Sequence, residues 1–247
     1  MDPRLMRETL AADELHWWYR GRRRVIRAEM EALDLPDRAS ILDAGCGSGR
    51  IMVELARYGT TSGIELDEEV AEIARARDVG EVHCGCLEAL PWPDGSFDLL
   101  TCLDVIEHTA DDRIALAELR RACRPGGRLL LTVPAYPALW SSHDVANHHR
   151  RRYTRSSLRR VARAAGWQIE RLSSFNSMLL VPAAAVRLAE RRRVAAGRTR
   201  SDLDLGPPWL NRVLEWPLAA EAGWLSRGRT LPAGLSLLAV LRRQGPS

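Results

Sequence analysis

The chain has 247 residues, enough for one sizeable α/β domain with an appendage, and its 46% hydrophobic content is that of an ordinary globular protein. All 36 basic residues are arginine and the formal net charge is only +4. The pI of about 9.0 therefore reads as a compositional preference for arginine, and nucleic acid is not expected as a partner.

Residues 5–33 read as a helix that Pro36 closes, with Leu15, Trp18, Val25, Ile26, Met30 and Leu33 interspersed among charges. A short apolar strand, Ala39–Asp43, runs into a glycine loop at 45–49, which opens a helix over Arg50–Tyr58. Then come a strand over Thr60–Glu65, a helix over 67–77 and a strand over Glu81–Cys86. The Asp94-Gly95-Ser96 turn leads into a strand over Phe97–Leu103. A helix over Asp111–Cys123 is broken by Pro125-Gly126-Gly127 before a fifth strand, Arg128–Val133. The spacing predicts a further helix over Ser156–Ala165 and strands over Trp167–Phe175 and Leu235–Arg242. Between those strands an insertion, 176–230, holds an apolar helix (178–190), an Arg- and Gly-bearing stretch expected to be mobile (191–206), and a second apolar helix after Gly-Pro-Pro. Strands alternating with helices in this way indicate a doubly wound, largely parallel sheet.

The five cysteines, at 46, 84, 86, 102 and 123, form no C-x-x-C pair. Reduced, mostly buried thiols are expected rather than a disulfide or zinc framework, and no metal. The N-terminal Met-Asp-Pro-Arg-Leu-Met-Arg-Glu lacks the apolar core of a signal peptide. The longest apolar runs, 178–186 and 230–241, fall short of the roughly 20 residues that span a bilayer. A soluble, cytoplasmic protein is expected, monomer or homodimer, with peripheral membrane contact left open.

The strongest chemical signal is Asp43-x-Gly45-x-Gly47-x-Gly49. Its glycines alternate, unlike the G-x-G-x-x-G of dinucleotide enzymes, which argues against an NAD-dependent oxidoreductase. Glycine lets a backbone turn sharply and approach a ligand with no Cβ in the way, and a loop between strand and helix offers amides to it. Glu65 ends the second strand 22 residues after Asp43, where a carboxylate accepts both hydroxyls of a ribose. Cys86-Leu87-Glu88-Ala89-Leu90-Pro91-Trp92 follows the third strand, and Asp104-Val105-Ile106-Glu107-His108 the fourth.

In order and spacing these pieces resemble the motifs of class I S-adenosylmethionine-dependent methyltransferases of the ubiquinone-biosynthesis-like, type 11 group, over about residues 39–175. The resemblance implies a Rossmann-like doubly wound sheet of seven strands, mostly parallel with the last antiparallel. It also implies an N-terminal helical lid (1–38), a core of 39–175 plus 231–247, and a helical cap (176–230). S-adenosyl-L-methionine would be the cofactor. Gly45, Cys46, Gly47 and Gly49 would lie against its methionine and ribose parts, Asp43 would orient the loop, and Glu65 with Leu66 would hold the ribose. Cys86 and Leu87 would flank the adenine, and Asp104 and Val105 the methionine moiety. Position 86 departs from the group's usual aspartate, and cysteine is a poor acceptor for the adenine amino group.

Methyl transfer from a sulfonium needs alignment and, for some acceptors, a base. Three histidines and an aspartate follow the fifth strand, in Trp140-Ser-Ser-His143-Asp144 and His148-His149-Arg150-Arg151-Arg152-Tyr153. They suggest a base with an orienting carboxylate, His143 or His148, with His108 as a further candidate. Trp140 and Tyr153 are expected near the acceptor, as are Trp17, Trp18 and Tyr19 of His16-Trp17-Trp18-Tyr19-Arg20, with Arg20 or Arg23 near the cofactor carboxylate. Trp209, Trp216 and Trp224 recur at spacings of seven and eight; they would wall an apolar pocket, meet a second subunit or rest on a membrane. The expected activity is methylation of a small-molecule acceptor on oxygen, nitrogen or carbon, with an apolar or lipid-type one among the candidates. A protein or nucleic-acid methyltransferase and a non-catalytic cofactor-binding partner are the competing readings. Against base methylation, the fourth strand ends in Asp-Val-Ile-Glu, not the Pro-Pro-aromatic sequence that grips an exocyclic amine.

Overall fold

The computed structural model describes residues 13–194 and 208–245. The helix expected over 5–12 and most of the stretch expected to be mobile, 195–206, lie outside the described residues. The helices are α1 (Trp17–Ala32), α2 (Arg50–Leu55), α3 (Glu68–Arg75), α4 (Asp112–Ala122), α5 (Ser142–Ala146), α6 (Arg155–Ala164), α7 (Leu180–Val194) and α8 (Pro208–Leu225). The strands are β1 (Ala39–Ala44), β2 (Gly59–Glu65), β3 (Gly80–Cys84), β4 (Phe97–Leu103), β5 (Cys123–Pro134), β6 (Gln168–Phe175) and β7 (Ser236–Arg242).

The seven strands form one sheet in the order β3-β2-β1-β4-β5-β7-β6. The pairs β1–β2, β1–β4, β2–β3 and β4–β5 are parallel. Strand β7 runs the other way. The Gly126 amide donates to the Arg243 carbonyl and the Ala135 amide to the Leu235 carbonyl, so β7 descends as β5 rises. Ile41, Leu42, Leu99, Leu100, Leu129, Leu130 and Leu131 are fully buried, as strands covered on both faces require.

Helix α1 begins at Trp17, α2 ends at Leu55 rather than Tyr58 and α7 runs on to Val194, and two strand boundaries differ from the expectation by more than a residue. Strand β3 stops at Cys84, leaving Cys86 in the loop beyond it. Strand β5 begins at Cys123, with Pro125-Gly126-Gly127 carried as an irregularity between the pairs Phe97–Cys123 and Leu99–Arg128. Gly126 takes φ +84°. Arg243 holds the excursion, donating its amide to Gly127 O at 2.9 Å, while its guanidinium satisfies the Arg120, Arg121 and Cys123 carbonyls at the end of α4. A breaker in sequence is thus a bulge in the sheet, because β7 supplies the partners.

By internal contacts the described chain falls into two compact units. One comprises residues 34–133, 155–172 and 238–247 and holds most of the sheet. The other, mainly helical, comprises 1–33, 134–154 and 173–237. Its centre is the packing of α1 on α8. The Trp17 amide donates to Asn211 Oδ1 at 3.1 Å, and Arg20 and Arg24 reach Glu215 at 3.0 and 2.7 Å. Trp18 stacks on Phe175 with centroids 5.7 Å apart. Helix α8 runs through Pro217, whose missing N–H costs it one internal bond. Glu221 of α8 accepts the Ser177 and Met178 amides ahead of α7, and its burial pushes the carboxyl up.

Gly21 marks the closest approach of α1 and α8, since a Cβ there would overlap Leu218, which is fully buried. Gly21→Val should destabilise the chain by about 1–3 kcal/mol, read as a lowered thermal midpoint. An unchanged midpoint would refute the close packing of these two helices.

Candidate functional site

The cofactor-side residues lie together in the sheet-bearing unit, at the carboxyl ends of β1, β2 and β4. Gly45, Gly47 and Gly49 have φ of +78°, +53° and +75°, the left-handed region that side chains disfavour. The Gly45 and Cys46 amides both donate to the Ile64 carbonyl, at 2.8 and 3.0 Å. A Cβ at Gly45 would overlap Val105, whereas one at Gly47 would meet nothing within 4 Å. The loop is therefore packed from behind and open in front, and Gly47 is where a ligand would approach main chain. Gly49 begins α2 as its N-cap residue.

Glu65 is the centre of this loop. One carboxylate oxygen accepts the Gly47 amide at 2.9 Å, and the other the Leu66 and Asp67 amides at 2.9 and 3.2 Å. An ionised carboxylate offers about four lone-pair sites, so capacity remains for a hydroxyl ligand. Asp43 is buried and accepts from Thr101 Oγ1 at 2.6 Å; Thr101 is its register partner on β4. Asp43 thus sits behind the loop as an anchor. Asp104, just past β4, adopts φ +57° and donates its amide to Thr132 O. His108 closes the following turn, donating its amide to Val105 O at 2.9 Å.

The Cys86–Leu87 loop is tied at both ends. The Gly85 amide donates to the Glu65 carbonyl at 2.9 Å. Beyond it, Arg121 of α4 binds the Leu90 and Trp92 carbonyls and Asp94, while Glu118 accepts the Leu90 amide. Cys86 is half-buried and Leu87 buried, while Leu66 is largely exposed. The thiols of Cys46, Cys102 and Cys123 are buried. Burial pushes all three up, Cys123 to about 12, so they stay protonated and inert.

The expected acceptor-side residues all fall in the helical unit, and their arrangement differs from the expectation. The carboxylate of Asp144 does not orient His143 or His148. It accepts from His149 Nδ1 at 2.9 Å and Arg152 Nε at 2.6 Å, and closes a capping box with Ser141 at the start of α5. Arg152 also binds the Ala135 carbonyl at 3.0 Å. The reason is geometric: His148 takes φ +55° and points its segment outward, bringing His149 back over Asp144. His143 lies beside Asn147, with its ring 6.0 Å from that of His149. Burial pushes the Asp144 carboxyl up, but the bonds from His149 and Arg152, the Arg152 charge and the Ser141 amide outweigh it and hold it well below the usual carboxylate range.

Tyr153 is buried, its backbone extending the β5 edge through Pro134 and Tyr136, and Trp140 ends the short 3-10 turn at 137–139. On α1 the aromatic run is divided. His16 caps the helix by accepting the Trp18 amide, Trp17 packs edge-on to Trp18, and Tyr19 lies under Arg22. Arg20, expected near a cofactor carboxylate, is paired with Glu215, and Arg23 with Asp13, because α8 and the turn before α1 present those acids to it. The sequence reading missed His149, Arg152, Thr101 and the Glu118–Arg121 pair. Only Thr101 had a legible signal, its place on β4 level with Asp43.

Sheet order, the reversed seventh strand and the left-handed glycine loop together define a Rossmann-like domain built to hold a nucleoside cofactor. Residues 42–131 match the family described as a methyltransferase domain, and that stretch is a class I S-adenosylmethionine-dependent methyltransferase domain. The chain is 36% identical over 154 residues to an uncharacterized 37.1 kDa protein of transposon TN4556 from Streptomyces fradiae, covering 58% of this chain and 44% of that protein. It is 31% identical over 117 residues to a ubiquinone biosynthesis O-methyltransferase of Idiomarina loihiensis, covering 44% and 48%. The matched stretch thus spans under half the length of these relatives. In fold it resembles geranyl diphosphate C-methyltransferase of Streptomyces coelicolor, solved with S-adenosyl-L-homocysteine, at TM-score 0.59 and 18% identity over 88% of this chain and 75% of that one.

Two outcomes check these arrangements. Glu65→Ala frees the Gly47, Leu66 and Asp67 amides together and should weaken S-adenosyl-L-homocysteine binding at least about tenfold in calorimetry, since a charge-assisted bond is worth about 1.5–3 kcal/mol. Unaltered affinity would remove Glu65 from the cofactor site. Asp144→Asn should cost about 3–5 kcal/mol of stability at pH 7 by leaving the buried Arg152 guanidinium without its counter-charge. Because the folded carboxyl is held low, its contribution is present above about pH 3.9 and lost as pH falls through the folded value. Denaturant melts of wild type and variant should therefore converge in acid.

Proposed function

We propose that this chain moves the methyl group of S-adenosyl-L-methionine onto oxygen, nitrogen or carbon of a small-molecule acceptor of apolar or lipid type. The observation that carries it is the loop at Gly45–Gly49, open over Gly47 and fastened to Glu65. The fit to the cofactor is one of chemistry: a side-chain-free approach for a nucleoside, and a carboxylate with capacity left for a ribose hydroxyl. The bound cofactor supplies an electrophilic methyl on a sulfonium. The protein's task is then to orient donor and acceptor and, where the acceptor carries a proton, to accept it.

We assign the base to His149 ahead of His143, His148 and His108. Its ring is held through Nδ1 against buried Asp144, the orienting carboxylate that a catalytic histidine needs. The helical unit carries acceptor selection in this reading. Trp17, Trp18, Tyr19 and Trp140, half-buried in that unit, supply aromatic surface suited to an apolar molecule, with buried Tyr153 packed within the same unit. A similar protein is named a ubiquinone biosynthesis O-methyltransferase, which supports a small-molecule acceptor.

The test is transfer of labelled methyl from the cofactor to fractionated lipid and polar metabolite pools. Label is expected in an organic-extractable acceptor; label only in protein or nucleic acid would overturn the acceptor class. No binding of S-adenosyl-L-homocysteine by calorimetry would overturn the methyltransferase reading itself. With that acceptor, His149→Gln should cut turnover about 10²–10⁴-fold while cofactor affinity holds; a near-normal rate would remove His149 as base.

A further inference from the structure

Helix α8 is apolar on two opposite faces. Its inner face buries Leu218, Ala222 and Leu225. Its outer face carries Trp209, Val213, Trp216 and Trp224, exposed by 65%, 59%, 66% and 43%. At 100° per residue these four lie within an arc of about 80°, with Ala220 between them, and extend about 22 Å along the axis. Among the described residues these tryptophans stay open to solvent, and a contiguous apolar patch of this kind marks a docking surface.

The charges around the stripe say what it meets. Both carboxylates of α8, Glu215 and Glu221, are buried and engaged inward, on Arg20 and Arg24 and on the Ser177 and Met178 amides. The exposed charges next to the stripe are arginines: Arg212 on its flank, and Arg229 with its guanidinium 4.3 Å over the Trp224 ring. The same sign holds for the whole helical unit. Its sequence has 19 arginines against 12 acidic residues, a formal +7, whereas the sheet-bearing unit has 17 against 20. The modest net charge of the chain hides this division.

We propose that the outer face of α8 docks on an anionic lipid bilayer surface, with Trp209, Trp216 and Trp224 seated at headgroup depth and Arg212 and Arg229 meeting lipid phosphates. Tryptophan with arginine along one face of a helix lying flat is the pattern that favours the membrane interface, and anionic headgroups complement the charge. No helix among the described residues is long and apolar enough to cross a membrane, so the contact is peripheral. A second copy is a poorer occupant. A two-fold contact through this stripe sets arginines against arginines, with no exposed carboxylate on the helix to answer them. The proposal does not depend on which acceptor is methylated.

Sedimentation of the full chain with vesicles tests it. Phosphatidylcholine vesicles with about 30% phosphatidylglycerol should bind at least tenfold more tightly than phosphatidylcholine alone, and raised salt should weaken the binding. A triple Trp209→Ser, Trp216→Ser, Trp224→Ser variant should lose at least tenfold in partition while keeping its thermal midpoint and its affinity for S-adenosyl-L-homocysteine. Arg212→Glu with Arg229→Glu should lose binding to the anionic vesicles, and keeps the test decisive should the triple variant fold poorly. Absence of wild-type binding to anionic vesicles, or equal binding by the variants, overturns the proposal. So does a dimer in light scattering that the triple variant dissolves. None of these outcomes touches cofactor binding, so the methyltransferase reading survives or fails separately.

Discussion

The cofactor-side architecture depends on one carboxylate. Glu65 gathers three backbone amides from two segments, Gly47 on one side and Leu66 and Asp67 on the other. Three left-handed residues in a run of five would be a floppy connection without such a tether, because glycine has the most conformational freedom to lose. With Ile64 accepting the Gly45 and Cys46 amides and Arg77 donating to the Ser48 carbonyl, the loop is held through its own main-chain groups. At Gly47 it therefore offers backbone with no side chain over it. Everything else in that unit supports this arrangement from behind: Asp43 pinned by Thr101, Val105 filling the space that a Cβ at Gly45 would need, and α4 fastening the Leu90–Asp94 segment through Arg121.

The helical unit uses the same device for another end. Asp144 is buried, and it organises Ser141, His149 and Arg152 as Glu65 organises the glycine loop. The difference is the charge of the partners. Glu65 meets neutral amides, whereas Asp144 meets a guanidinium and an imidazole, so its protonation is bound to the stability of the segment after β5. One carboxylate organises the glycine loop. The other holds the ring of a histidine in place.

The sheet was legible because its signals are local. Apolar strands bounded by Gly, Pro and Asp placed six of the seven within a residue or two at most ends, and β4 to the residue. The fifth strand was the exception. Pro125-Gly126-Gly127 reads as a stop, and only the return of Arg243 from β7, 120 residues on, turns it into a bulge. The glycine loop and Glu65 were legible because their spacing follows from strand pairing. The histidine cluster was not. Four residues separate Asp144 from His149, and the choice between His143, His148 and His149 depends on a left-handed turn at His148, which periodicity does not record. Arg20 of α1 was misplaced for a like reason, since its partner Glu215 lies far along the chain, whereas Arg23 is paired with nearby Asp13.

That distance bears on how the polypeptide comes to be made. The Trp17 amide and its partner Asn211 are 194 residues apart, so α1 leaves the ribosome long before α8 exists to receive it. At translation rates of about 5–20 residues per second, the first helix waits roughly 10–40 s without the Leu218 side chain that Gly21 packs against. During that interval the sheet-bearing segments are completed and free to fold, and the last helices then close over a partner synthesised first. Assembly of the helical unit is therefore a late, non-local event, and a nascent chain stalled before residue 208 presents an orphan amphipathic helix to the chaperones of its host.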